Sequence, residues 1–303
     1  MGIVIGAALC GVVVGILSGL LGVGGGTMMI PVFRLGFGLS ALASTGTSLF
    51  SMIFTAAAGS ITHIRNHTCL VPLGLLAGVC GACTSPLGVR LANMSPAWLV
   101  MLATGCVIAY SASTMLRKGL AMPKSGVKAN ASETKEALES RDASAAREAN
   151  DASEAHEAAK ESEAAARSAA EPAFIEAKDL TRRQYIIGAI AGLVAGVAGG
   201  YVGLGGGFLM VPIFVAGVGL PMKQTSGTSL LAVCILATTG AITQFVYGNV
   251  EVMAGLAMAF GSIPGAIIGA NFIKKIPERT LRLMFGVFLL VLSVALVINE
   301  IIF

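Results

Sequence analysis

The sequence predicts an all-α, polytopic integral membrane protein made of two inverted repeats. Three observations lead there: a charge-poor apolar composition, an internal repeat at one fixed offset, and positive charge that changes sides between the copies. Of 303 residues, 55% are hydrophobic and 12% charged, with a mean hydropathy of +0.83. Soluble domains carry about 25% charged residues, so the bilayer is the expected solvent. No Asp or Glu precedes Glu133, and all but three of the acids lie between Glu133 and Asp179. The net charge of +4 therefore averages a mildly acidic middle segment and a basic membrane body. No Lys/Arg cluster is interleaved with aromatics, which excludes nucleic acid as a partner. Basic residues beside apolar spans act instead as topology determinants.

Laid on itself at an offset of 181, the chain aligns without gaps, with about 30 of 108 positions identical. The repeats are residues 1–122 and 184–303, joined by a linker at 123–183. Each is expected to hold about five membrane-crossing or half-membrane helices: 4–21, 26–39, 43–65, 71–92 and 99–120, and their counterparts 185–202, 207–220, 224–246, 252–273 and 280–301. Four of each five approach the ~20 residues that span hydrocarbon.

The first segment carries Gly11, Gly15 and Gly19, copied as Gly192, Gly196 and Gly200. This spacing makes a seam for close helix contact. Because this run belongs to the repeat, a cleaved signal peptide is not expected. Next comes Gly22-Val-Gly-Gly-Gly26, copied as Gly203-Leu-Gly-Gly-Gly207. It lacks the Gly-Lys-Ser/Thr ending of a phosphate loop. Inside a hydrophobic run it reads as a helix break, tolerated only where protein or a watery cavity covers the freed backbone. The helix restarting after it presents unpaired N–H groups, which suit an anion. Two such breaks in inverted copies are expected to face each other near the midplane.

The short second segment contains Pro31 or Pro212, and the third opens with Ser44-Thr-Gly-Thr-Ser48 or Thr225-Ser-Gly-Thr-Ser229. Hydroxyls can donate to an oxyanion without burying a charge; the alternative is capping and interhelix bonding. The candidate substrate-binding residues are thus Gly24, Gly25, Gly26, Thr27, Thr45, Thr47 and Ser48, with Gly205, Gly206, Gly207, Ser226, Thr228 and Ser229. No catalytic residue, metal or cofactor is expected. His63 and His67, with Cys69 nearby, have ligand-like spacing but lie at a basic edge. Cys80 and Cys83 read as packing residues, and Arg90 and Asn271 either snorkel or line a pathway.

The loop with His63, Arg65 and His67 is basic while its counterpart at 244–251 has no Lys or Arg. In the other pair, the basic loop is the one with Lys274, Lys275 and Arg279. Opposite bias means opposite insertion. Arg117, Lys118, Arg182 and Arg183 bracket the linker, placing it in the cytoplasm and both termini outside. The linker is rich in Ala and Glu, favours helix by propensity and lacks an apolar stripe. Segments without Asp or Glu argue against a cation path.

Gly19-Leu-Leu-Gly-Val-Gly-Gly-Gly-Thr-Met-Met-Ile-Pro31, repeated as Gly200-Tyr-Val-Gly-Leu-Gly-Gly-Gly-Phe-Leu-Met-Val-Pro212, each followed by Gly-Thr-Ser-Leu, resembles the TauE/SafE sulfite exporter family. The resemblance covers both repeats and implies a permease for a small sulfur-containing anion, such as sulfite or an organosulfonate, in the cytoplasmic membrane. The rival expectations are an anion channel, or a membrane-anchored scaffold or sensor acting through the linker. The linker is longer than the family implies. A homodimer, and a coupling ion that is either proton or sodium, are left open.

Overall fold

The computed structural model describes residues 2–96, 98–100 and 180–273, with scattered positions in 102–120 and 276–294. Among the described residues every regular element is helical. Helix α1 (Gly2–Leu21) ends at the first glycine break. A short α2 (Gly26–Pro31) widens into a π-helical turn, Val32–Gly36, and the long helices α3 (Ala41–Arg65) and α4 (Val71–Met94) follow. The second copy repeats this order as α5 (Arg182–Val202), α6 (Gly207–Ile213) with a π-turn Phe214–Val218, α7 (Met222–Val246) and α8 (Val252–Phe272). The fifth segment of each repeat is largely outside the described residues. So is the linker, apart from 180–183.

Local chemistry explains where these helices start and stop. Ser40 caps α3 by accepting from the Ala43 N–H at 3.2 Å. Thr181 opens α5 with a capping box, its own N–H donating to Gln184 Oε1 at 2.8 Å. Pro31 and Pro212 lack the N–H that would bond four residues back, and both helices loosen into π-turns at once.

Five helices among the described residues are long and apolar enough to cross a membrane: α3, α4, α5, α7 and α8. Their outer faces are apolar, with Val246, Met253 and Phe260 at least three-quarters exposed, while Thr47, Ser48, Thr228 and Ser229 are fully buried. Apolar residues outside and hydroxyls within suit a chain whose solvent is lipid. Such helices gain little from hydrophobic burial against one another and associate by close packing.

That packing fixes the topology. A methyl group on Gly11, Gly15 or Gly19 of α1 would strike the backbone at Met258, Ser262 and Ala266 of α8 respectively. The two helices therefore run parallel, backbone against backbone. Gly192, Gly196 and Gly200 of α5 fit Ala77, Gly81 and Ser85 of α4 in the same way. Each repeat's first helix thus packs on the fourth helix of the other. At the centre, Gly59 of α3 meets Leu230 of α7 while Gly240 of α7 meets Leu49 of α3. These corresponding helices cross antiparallel.

Candidate functional site

The two glycine breaks meet between α3 and α7. Gly22, Gly24 and Gly25 hold φ of 75°, 86° and 82°, and Gly203, Gly205 and Gly206 hold 78°, 70° and 71°. Left-handed backbone of this kind costs side-chain-bearing residues roughly 1–2 kcal/mol each, which explains three glycines in a row of five twice over. A methyl on Gly24 or on Gly205 would strike the same two side chains, Met52 Sδ of α3 and Val233 Cγ1 of α7. Gly207 lies against the Val23 carbonyl, and Gly26 against Leu204 Cα. The breaks are in mutual contact, as two facing copies require.

The hydroxyls of the third helices are brought to the same place, and in this conformation they stitch one repeat to the other. Ser48 donates to the Gly203 carbonyl at 3.1 Å, and Ser229 donates to the Gly22 carbonyl at 2.7 Å. Thr47 Oγ1 accepts the Glu251 N–H at 2.9 Å, and Thr228 Oγ1 accepts the Leu70 N–H at 3.0 Å. Each of these threonines therefore holds the entrance of the other repeat's fourth helix. Thr45 and Ser226 bond within their own helices, to the Leu42 and Met222 carbonyls at 2.8 and 3.0 Å.

One candidate differs. Thr27 is 1% exposed and its hydroxyl has no hydrogen-bond partner. Ser18 of α1, 2% exposed, is equally unpartnered. Both line one small cavity with Val14, Leu17, Val23, Gly25 and Met28, about 10 Å³ and so room for roughly a single water. An unsatisfied buried hydroxyl costs about 1–3 kcal/mol, so two at one cavity mark a place where a polar guest is favoured. In the second repeat the corresponding positions are Gly199 and Phe208. Phe208 is fully buried in the apolar core, and a methyl on Gly199 would strike the Gly206 amide. The second break thus lacks this pair of hydroxyls, while Ser85 Oγ of α4, also buried without a partner, lies against Gly200 and Gly240. In the sequence Ser18 carries no signal of its own, because it sits inside the glycine seam of α1 and looks like one more small packing residue.

The other singled-out residues fall elsewhere. Arg90 and Asn271 are exposed, and Asn271 accepts from Asn66 Nδ2 at 2.8 Å. His63 and His67 do not share a helix face: α3 ends at Arg65, and His67 lies beyond it with φ 56°. Cys80 and Cys83 are free thiols. Burial pushes the Cys69 thiol up to about 12, although a hydrogen bond with Thr228 partly opposes this, so it stays protonated and inert.

A family description, sulfite exporter TauE/SafE, matches residues 7–296. The chain is 24% identical over 269 residues to the probable membrane transporter protein YdhB of Bacillus subtilis, covering 88% of this chain and 89% of that one. It is 30% identical over 122 residues to the probable membrane transporter protein YunE of the same organism, 38% of this chain and 45% of that one. The sulfite exporter TauE/SafE family protein 3 of Arabidopsis thaliana is 25% identical over 112 residues, 37% of this chain and 23% of its own. No solved structure matches. With doubled glycine breaks, an apolar outer surface and a family match over residues 7–296, this chain is a multi-pass membrane transporter, not an enzyme, and it belongs to the TauE/SafE sulfite exporter family.

Proposed function

We propose that the protein is a secondary carrier that moves a small sulfur-containing anion, sulfite or an organosulfonate, by alternating access. The anion is held at the first break by the hydroxyls of Ser18 and Thr27 together with the backbone of Gly24, Gly25 and Gly26. The observation that carries this reading is the pair of unpartnered, buried hydroxyls at one cavity beside that break. Hydroxyl donors suit an oxyanion that must also leave, because they bind it without a fixed countercharge. The cavity is too small for the anion as it stands, so this is the closed state and the pocket opens during transport.

The remaining site residues form the moving wall. Thr45, Thr47 and Ser48 on one side, and Gly205, Gly206, Gly207, Ser226, Thr228 and Ser229 on the other, line the seam between the repeats. The bonds from Ser48 to Gly203 and from Ser229 to Gly22 hold that seam shut, and rocking one repeat against the other exchanges them. The repeats sit in opposite senses in the cytoplasmic membrane, with the 123–183 linker in the cytoplasm and both termini outside. The antiparallel crossing of α3 and α7 supports the opposite senses of the two repeats.

The test is flux in proteoliposomes across a panel of sulfite, sulfonates, sulfinates and simple carboxylates. Saturable uptake of at least one sulfur oxyanion is expected. Conductance without saturation would mean a channel instead. Deleting 125–180 should preserve flux, whereas a scaffold or sensor would lose its function.

A further inference from the structure

We propose that His63 is the proton site of the transport cycle, so that anion and proton bind together; this rests on the anion subsite proposed above. His63 is on the last turn of α3 and is fully buried. Its Nε2–H donates to the Gly19 carbonyl of α1 at 2.8 Å, and Nδ1 lies 2.8 Å from Thr68 Oγ1. The imidazole thereby ties the end of α1 to α3, and its base lies against Gly227, where a methyl would strike His63 Cβ and Cγ.

The surroundings serve both protonation states. In the neutral ring, Nδ1 accepts from the Thr68 hydroxyl. When a proton adds at Nδ1, that N–H donates to Thr68 Oγ1, and the hydroxyl hydrogen turns to the His63 carbonyl, already 3.2 Å away. Proton uptake then needs only a hydroxyl rotation, and no bond is left unmade. Gly19 is among the last carbonyls of α1, the negative end of its dipole, which favours a cation, but burial disfavours one more strongly, so the ring takes up its proton only with the anion beside it.

Charge balance supplies the coupling. Helices α1, α3, α7 and α8 carry no Asp or Glu, so no fixed carboxylate on them neutralises an imidazolium. Glu251 is at the other end of α3, against Thr47. The cations nearest along the chain are Arg65 and His67, both exposed, and Lys223, buried one turn before Gly227 on the same face of α7. Cys69 in the adjoining loop is a neutral thiol. Apart from Glu251 no carboxylate is present among the described residues, and the cargo supplies the negative charge: Ser18, which lines the anion cavity, directly precedes Gly19, which holds the ring. The second repeat places Gln244 where the first has His63, and Asn249 in place of Thr68. Asn249 donates to Gln244 Oε1 at 2.9 Å, but Gln244 Nε2 is buried without a partner, so the tie to the first helix is not repeated there and the side chain cannot titrate.

The test uses the full-length protein in proteoliposomes with methanesulfonate, which stays anionic from pH 5 to 8 and cannot carry the proton itself, and with a pH dye inside. Wild type should acidify the lumen as it takes up the anion, with uptake rising about tenfold from pH 8 to pH 5.5, within the usual range of coupling between sites. His63→Gln should run at the slow pH 8 rate at every pH and acidify nothing, while the exposed His67→Gln keeps the wild-type profile. If His63→Gln does not fold, Thr68→Val carries the test, and most of the pH dependence should vanish. Acidification by His63→Gln, an unchanged profile in Thr68→Val, or a flat profile in wild type overturns the proton site and leaves the carrier standing. If no sulfur oxyanion in the panel moves at all, the carrier reading fails and this inference fails with it.

Discussion

The two glycine breaks share a backbone and differ in what fills them. Both hold three left-handed glycines, both lean on Met52 and Val233, and each receives a serine hydroxyl from the other repeat. Yet the first has Ser18 and Thr27 facing a cavity with no partner, while the second has Gly199 and Phe208 packed tight. The duplicated parts are those the scaffold needs: turn geometry, close helix contact and cross-repeat bonds. The unpartnered buried polar groups are unduplicated: Ser18 and Thr27 at the first break, and elsewhere Ser85 and Gln244, whose counterparts are Ala266 and His63.

The largest expected effects test the shared half of that comparison. Gly24→Val and Gly205→Val each force a branched side chain into left-handed backbone and into Met52 and Val233. Each should destabilise by about 2–5 kcal/mol, seen as loss of the folded peak or a lowered Tm in detergent. Tolerance of one but not the other would break the equivalence of the two turns.

Next comes the half that differs. Ser18→Ala with Thr27→Val should raise KM for the transported anion at least tenfold, whereas Phe208→Leu should leave KM within about twofold even if Tm drops. This split between a binding effect and a packing effect is readable from kcat and KM separately. Equal changes in KM at the two breaks would show that polarity at the first has no special role.

A smaller effect is expected at the cross-repeat bonds. Ser48→Ala and Ser229→Ala each remove one hydroxyl-to-carbonyl bond between the copies, about 0.5–1.5 kcal/mol apiece, and the two Tm shifts should match. The smallest concerns Cys69, whose counterpart is Val250. Because burial keeps the thiol protonated, it acts as a small apolar group. Cys69→Val should change flux less than twofold, and the wild-type thiol should resist alkylation at pH 8.

Much of this was legible in the sequence, for physical reasons. The offset of 181 is visible because each glycine in the break has a backbone angle or a close contact that only glycine allows, so the motif is conspicuous in both copies. Helix ends at Arg65 and Val246 follow from polar, turn-forming residues closing apolar runs. The hydroxyls around Gly46 and Gly227 could be located but not interpreted. Whether Ser48 serves a ligand or the Gly203 carbonyl depends on a contact 155 positions away, which no local pattern encodes. Ser18 was hidden by its small neighbours. In sequence His63 and His67 look like a spaced pair, although the helix stops between them and the partners of His63, Gly19 and Thr68, come from tertiary packing and a turn.

We propose that the sulfur-containing anion binds on one side only, at Ser18 and Thr27. The direct measurement is saturable uptake of the sulfur oxyanion panel by purified protein in proteoliposomes, wild type beside Ser18→Ala/Thr27→Val. Saturable wild-type flux is expected, with a KM raised at least tenfold in the double variant while the protein stays folded. Undiminished affinity in the folded double variant, or no saturable flux of any sulfur oxyanion by wild type, would contradict it.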